Sequence, residues 1–132
     1  MLLLRLTKRP VIHGLGVLAI VFISLWPRST VDAWVPDAVQ SQEQWIHIGC
    51  YLFLAALSLW TYGNRKRPIP SRVITWCGCT AFGVLLEILQ ATLPGVNRSG
   101  NLPDALANAF GAVLGLLLPR LLWPAACSVT AK

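Results

Sequence analysis

The sequence predicts an all-α, polytopic membrane protein that crosses the membrane with four helices and keeps both termini in the cytoplasm. Of its 132 residues, 55% are hydrophobic and only 12% are charged, whereas soluble domains are roughly 45–50% apolar and roughly 25% charged. Four long apolar segments have no polar stripe along their full length, so their surfaces must face lipid. The basic residues lie in short clusters beside these segments, which indicates topology. We expect a single membrane domain over residues 1–132.

The formal net charge of +6 does not indicate a nucleic-acid partner, because aromatic residues do not interleave with the basic clusters. The four cysteines are Cys50, Cys77, Cys79 and Cys127. At least two fall inside apolar segments, so buried free thiols are favoured over disulfides. On a helix Cys77 and Cys79 point about 200° apart and cannot share one metal ion. We expect no metal and no cofactor.

The first helix is predicted at about residues 11–26, after a basic stretch in residues 1–10. A basic segment followed by an apolar run is also typical of a cleaved signal peptide, and residues 31–33 loosely resemble a cleavage site. Pro27 and Arg28 intervene, however, and an aspartate is an awkward neighbour for cleavage. An uncleaved membrane helix is therefore favoured.

A polar loop is predicted over residues 27–42, with an interfacial turn anchored by Trp34. Ser41 and Gln44 have the spacing of a capping box, in which two side chains satisfy free amides at a helix start. The second helix is predicted at about residues 44–62.

Residues 63–72 contain four basic residues and no acidic one, which places this loop in the cytoplasm. The third helix is predicted at about residues 73–93, between proline-containing turns. The fourth is predicted at about residues 104–123, with Asn101 as its cap and a kink at Pro119. Nearly all basic residues then lie on the inner side.

Helical rise places the polar residues of the third helix near the outer face. If Arg72 marks the inner boundary, Glu87 lies about 22 Å along the helix, roughly 8 Å below the outer surface. Gln90 lies one turn further out. A charged residue at such a depth is rare and is by default a functional hypothesis.

The other two helices repeat this arrangement. Glu43 and His47 are four residues apart at the outer end of the second helix, as are Asp104 and Asn108 on the fourth. Residues four apart share a helix face, so three helices contribute polar side chains at one level. These side chains predict an outward-facing polar pocket.

Small residues continue the same faces. Gly83 precedes Glu87 by four residues, and Gly111 and Gly115 continue the spacing of Asp104 and Asn108. Glycines four apart allow close helix approach in membranes. We therefore expect Gly83, Gly111 and Gly115 in a helix-packing seam below the pocket.

Packing explains some of these polar residues as well as function does. Singly, Gln90 and Asn108 are more typical of interhelical hydrogen bonds, worth about 0.6 kcal/mol each. A carboxylate at the depth of Glu87 needs a partner, and His47 and Arg98 are candidates. The roles of His47, Glu43 and Asp104 stay open between structure and function. The candidate ligand-binding residues are Glu43, His47, Glu87, Gln90, Arg98, Asp104 and Asn108.

These motifs resemble the VanZ-like family of small bacterial membrane proteins over residues 43–115. The matching residues are Glu43, His47, Glu87, Gln90, Pro94, Gly95, Arg98, Asp104, Asn108, Gly111 and Gly115. Gln44 stands where the family usually has Lys, and residues 96–97 separate Arg98 from the Pro-Gly pair. The resemblance implies an integral protein of the bacterial inner membrane and cell envelope. The family's founding member is associated with glycopeptide (teicoplanin) resistance.

Three functions follow as hypotheses. The pocket binds a lipid head group or a lipid-linked envelope precursor, with membrane lipids as surroundings. Alternatively, Glu87 or His47 is the acid or base of a membrane-embedded enzyme acting on an envelope lipid. As a third possibility, the chain is an accessory subunit that forms a homo-oligomer or joins a membrane complex, and its polar groups hold helices together.

Overall fold

A computed structural model describes residues 2–40, 42–63, 67–96 and 100–122 of the chain. The helices are α1 (Leu2–Ser24), α2 (Arg28–Trp34), α3 (Asp37–Gln40), α4 (Glu43–Tyr62), α5 (Pro68–Thr92) and α6 (Leu102–Leu122). These residues contain no β-strand. The all-α prediction is thereby confirmed for the described part of the chain. A single domain over residues 1–132 remains a prediction.

Two helices, α4 and α5, are long and apolar enough to cross a membrane. The apolar part of α1 and the short α2 pass the same criteria together, but they are bent by 91° at the break between them. The apolar part of α6, Leu102–Leu118, is shorter. Two or three helices can therefore span a bilayer by length and composition, and four spans with cytoplasmic termini stay a prediction.

The first helix and the loop after it differ from the prediction. α1 begins before Pro10 and continues through it, then ends at Ser24, close to Trp26, whose helical conformation is disfavoured by Pro27 directly after it. The predicted loop over residues 27–42 is wrong, since it contains α2 and α3. Proline suits a helix start, and the Arg28 Nε lies 2.9 Å from Asp32 Oδ1 one turn later, a spacing that supports short helices.

The later helices lie close to their predicted positions. α4 and α6 begin within two residues of the expected starts. α5 begins five residues earlier than predicted, with Pro68 at its first position, where a missing N–H is tolerated. Ser41, half of the predicted capping box, lies outside the described residues.

The tightest packing in the bundle is between α4 and α6. A Cβ atom added at Gly111 would collide with the carbonyl group of Ile48, and one at Gly115 with the carbonyl of Leu52. Both carbonyls belong to α4, so the two glycines let the backbones of α4 and α6 touch. The buried core beside this seam consists of Ile20, Tyr51, Leu54, Ala55, Cys79, Leu86 and Ala112.

Large apolar side chains cover the outside of the bundle. On α1, Leu15, Leu18 and Phe22 are 62%, 64% and 63% exposed, and α4, α5 and α6 each expose several more. A soluble monomer rarely leaves so extensive an apolar surface in water. Lipid is the environment that this surface suits.

The cysteines follow the same division between core and surface. Cys79 is buried, Cys50 is half-buried and Cys77 is exposed, and all three are free thiols. The prediction of buried thiols is wrong for Cys77, because α5 turns that position away from the neighbouring helices. Cys127 lies outside the described residues.

Enlarging a seam glycine should separate α4 from α6. We expect Gly111→Ala to lower stability by about 1–3 kcal/mol, as overpacking typically does, measured as thermal unfolding in detergent. Gly49→Ala is the matched control, because a Cβ at this glycine of α4 meets nothing within 4 Å. Equal melting temperatures for the two variants would contradict close α4–α6 contact.

Candidate functional site

The polar side chains collect at one end of the bundle, where α1 and α5 end and α4 and α6 begin. The structure brings together five of the residues predicted for the pocket: Glu43, His47, Glu87, Asp104 and Asn108. Gln90 lies nearby with a different partner. Arg98 lies outside the described residues. The ligand-binding role of these residues stays a prediction.

The side chain of Asn108 on α6 connects this helix to both α4 and α5. Its Oδ1 lies 2.8 Å from His47 Nδ1 on α4, and its Nδ2 donates to Glu87 Oε1 on α5 at 3.4 Å. Because an amide oxygen can only accept, the short contact requires the proton on His47 Nδ1. Asn108 is 1% exposed; its bond to Glu87 is buried, and its bond to His47 is partly buried.

Glu87 is a buried carboxylate satisfied by N–H donors. Besides Asn108, the backbone N–H of Asn101 donates to Oε2 at 3.2 Å, and His47 Nδ1 lies 3.9 Å from Oε1. The prediction that Glu87 needs partners agrees with these contacts. They come from α4, from α6 and from the residue preceding α6.

The start of α6 is capped as the sequence predicts. The backbone N–H of Asp104 donates to the side-chain oxygen of Asn101 at 2.9 Å. This cap leaves the carboxylate of Asp104 facing α4, where its Oδ2 lies 4.0 Å from His47 Nε2. One donor atom each from Glu43, His47 and Asp104 lies within 4.8 Å of the others. These three residues could hold a metal ion.

Gln90 does not turn towards this cluster. Its Nε2 donates to the backbone carbonyl of Ser24, the last residue of α1, at 2.7 Å. The carbonyls at a helix end lack partners within the helix, so Gln90 satisfies one of them and ties α5 to α1. This packing role is the one the sequence favours for Gln90 taken singly.

Arg28 is a cation at the site that the sequence reasoning missed. Its Nη1 lies 3.6 Å from Glu43 Oε2, in addition to the contact with Asp32. Its backbone N–H donates to the carbonyl of Val96 at 3.0 Å, which joins α2 to the segment after α5. The only sequence signal was a proline, then Arg28, then Asp32 four residues on.

A cavity of about 600 Å³ lies between α1, α2 and α4. Its polar wall includes Arg28, Glu43 and His47. Its apolar wall is formed by Ile20, Ile23, Trp26, Val31, Trp34, Val35 and Ile46. Glu87, Gln90, Asp104 and Asn108 do not line it. Of the two acid–base candidates, His47 is therefore the one with access to a ligand in this cavity.

Tyr51 lies one turn below His47 on α4 and also lines the cavity. The residue is 2% exposed, and its hydroxyl group has no hydrogen-bond partner among the described residues. Its ring contacts the position of Gly83, where an added Cβ would lie 3.1 Å from the ring and 3.0 Å from the Cβ of Asn108. Because Gly83 of α5 has no side chain, Asn108 of α6 and Tyr51 of α4 can pack against α5 at this position.

Comparison with protein-family models, with curated proteins and with solved structures gives no match. The resemblance to the VanZ-like family therefore rests on the sequence motifs and stays a prediction.

Replacing Asn108 by an apolar residue should remove a hydrogen bond from each of its two partners, His47 and Glu87. In Asn108→Leu the His47 ring and the Glu87 carboxylate each lose a buried hydrogen bond, and an unsatisfied buried group costs about 1–3 kcal/mol. We expect a clear fall in thermal stability in detergent. Thr92→Val is the control, because the exposed Thr92 hydroxyl donates only to Ile88 within α5.

A double-mutant cycle separates this network from general damage to packing. In the background of Glu87→Gln, the further effect of Asn108→Leu should differ from its effect alone by about 0.5–3 kcal/mol, the range seen for residues in contact. Simple additivity of the two changes would argue against the Asn108–Glu87 contact.

Proposed function

We propose that this chain is a four-span protein of the bacterial inner membrane that binds a lipid head group or a lipid-linked envelope precursor at its outer end. One observation carries the proposal: the cavity between α1, α2 and α4 is lined mostly by apolar side chains, and its charged residues Arg28 and Glu43 lie 3.6 Å apart beside His47, which together form its charged end. A lipid has the same division between chain and head group.

The size and lining of the cavity support a ligand of this kind. Its volume of about 600 Å³ falls within the roughly 300–1,000 Å³ typical of small-molecule sites. Such sites are mainly apolar, with a few polar groups that fix orientation. Isoleucine, valine and tryptophan side chains would contact the hydrocarbon, while Arg28, Glu43 and His47 would contact the head group.

The charged end suits a phosphate-containing head group. Arginine presents a rigid, permanently charged set of donors that matches a phosphate better than lysine does. The contacts of Arg28 with Asp32 and Glu43 hold the guanidinium at the cavity wall. The Glu43 carboxylate and His47 Nε2 beside it would accept hydrogen bonds from hydroxyl or amine groups of the same ligand.

The four-span arrangement is the topology that suits both composition and charge. α4 and α5 qualify as spans directly, and the apolar parts of α1 and α6 pack beside them. The basic loop at residues 63–72 and the basic first ten residues would lie in the cytoplasm under the positive-inside rule. The charged end of the cavity would then face outwards.

Membership of the VanZ-like family belongs to the same proposal, with residues 43–115 as its basis. A link to glycopeptide tolerance of the teicoplanin type is proposed on that resemblance alone. It would agree with the outward-facing site proposed above for an envelope precursor.

Cysteines placed on either side of α4 test the topology. In spheroplasts, a membrane-impermeant maleimide should label Gln42→Cys from outside and Arg67→Cys only after permeabilisation, because the two positions flank one span. The unmodified chain gives the background from its own cysteines. Labelling of both positions from the same side would rule out a spanning α4.

The lipid site is tested by mass spectrometry of lipids that co-purify in mild detergent. Arg28→Gln removes a charged hydrogen-bond donor worth about 1.5–3 kcal/mol, so retained lipid should fall by roughly tenfold or more where binding is not saturated. Arg72→Gln, at the opposite end of α5, should retain lipid normally.

A cavity-filling variant gives an independent test of the same site. Val31→Trp should reduce retained lipid without removing a charge, because Val31 lines the cavity. Val11→Trp is its control, since Val11 is 62% exposed and lies outside the cavity lining. Equal lipid content in all four variants and the parent protein would refute the proposal.

A further inference from the structure

We propose that Glu43, His47 and Asp104 form a binding site for one divalent transition-metal ion of the Zn²⁺ type. The site is assembled from the first two turns of α4 and the first turn of α6, at the wall of the cavity. The proposal does not depend on lipid binding.

The spacing of the three donor atoms fits a shared ion. They lie within 4.8 Å of one another. Zinc binds imidazole nitrogen and carboxylate oxygen at about 2.0–2.2 Å in tetrahedral geometry, so two of its ligand atoms are about 3.3–3.6 Å apart. Rotations that move the side-chain ends by under about 1 Å would bring all three donors into range.

The orientation of His47 points to the same conclusion. Its Nδ1 carries the proton that faces Asn108 Oδ1 at 2.8 Å, so neutral imidazole has its lone pair on Nε2. Nε2 in turn faces the Asp104 carboxylate at 4.0 Å, which is too long for a hydrogen bond. When the His47 ring is neutral, two electron-pair donors therefore face each other across a gap that a metal cation would bridge.

Asp104 provides a second, independent observation. Its side chain is only 9% exposed, and no hydrogen-bond donor to its carboxylate is found among the described residues; its near neighbour is His47 Nε2. Buried carboxylates are normally paired, hydrogen-bonded or bound to a metal. A metal ion beside Nε2 would give this carboxylate a partner.

The surrounding contacts resemble the support that metal-binding histidines receive. Such histidines usually donate their other ring N–H to a carbonyl or carboxylate, which fixes the ring. Here Asn108 accepts from His47 and itself donates to Glu87. The chain therefore orients Nε2 towards Asp104 before any ion binds.

The choice of metal follows from the donors. One imidazole and two carboxylates suit Zn²⁺ or Mn²⁺ better than a thiolate-preferring ion. Glu43 and His47 line the cavity, so an ion with three protein ligands would keep an open coordination position on the cavity side. Arg28 contacts the other side of Glu43 at 3.6 Å and would remain beside the occupied site.

The earlier expectation of no metal rests on the spacing of the cysteines, which are not the ligands here. The three donors come from two helices, and more than fifty residues separate His47 from Asp104 in the sequence. Their convergence depends on the packing of α6 against α4, so no local spacing motif predicts a chelate.

The experiment uses the full chain in detergent, with any affinity tag removed. After dialysis against Zn²⁺ and then against metal-free buffer, elemental analysis should find one Zn²⁺ per chain. Co²⁺ should give visible absorption bands of a low-symmetry N/O site. Asp104→Asn and Glu43→Gln should each weaken binding at least tenfold, whereas Asp32→Asn, at the same end of the bundle, should bind normally.

Circular dichroism and gel filtration of each variant identify folding defects, and Glu43→Gln changes a partly exposed side chain that the fold should tolerate. Absence of stoichiometric Zn²⁺ and Co²⁺ binding by the parent protein would overturn the proposal, as would equal binding by the parent and by folded Glu43→Gln. Metal content and retained lipid are separate readouts, so either proposal can fail without the other.

Discussion

The hydrogen bonds of Asn108 are the constraint on which the arrangement of α4, α5 and α6 depends. One side chain on each helix takes part: His47, Glu87 and Asn108. In surroundings without water, a buried polar group that loses its partner is costly. Asn108 holds the other two through opposite ends of one amide, so a shift of any of the three helices would stretch at least one of these hydrogen bonds. The network thus fixes the register between helices that apolar packing alone would leave loosely defined.

This network requires the close helix packing below it. Gly83 leaves just enough space for Asn108 and Tyr51, and Gly111 lies against the carbonyl of Ile48, one residue from His47. Larger residues at these glycines would push α4 and α6 apart, and the 2.8 Å hydrogen bond between His47 and Asn108 would be lost. The glycines and the polar groups on these faces therefore act together in helix packing. Small residues allow the approach, and hydrogen bonds select the register.

The sequence predicts this part of the fold because its information is local: α4 and α6 follow from apolar length and from the Asn101 cap, and the shared faces follow from spacings of four. It does not reveal partners. Glu87 and Gln90 are three residues apart, a separation of about 60° around the axis, which is enough for Glu87 to meet α6 and Gln90 to meet Ser24. Arg28 was missed because a short helix in a polar, proline-containing stretch lacks an apolar period, and its position depends on a contact with Val96.

The polar residues fall into two groups: one has its hydrogen-bond partners inside the protein, and the other lines the cavity. Glu87, Asn108 and Gln90 have their partners within the protein, so their chemistry is already committed to holding helices together. Arg28 and Glu43 face the cavity, and His47 belongs to both sides because its two ring nitrogens point in opposite directions. A change at His47 consequently disturbs packing and binding together. Evidence for a ligand has to come from Arg28, Glu43 and the apolar wall, where a loss of binding cannot be explained by a broken interior network.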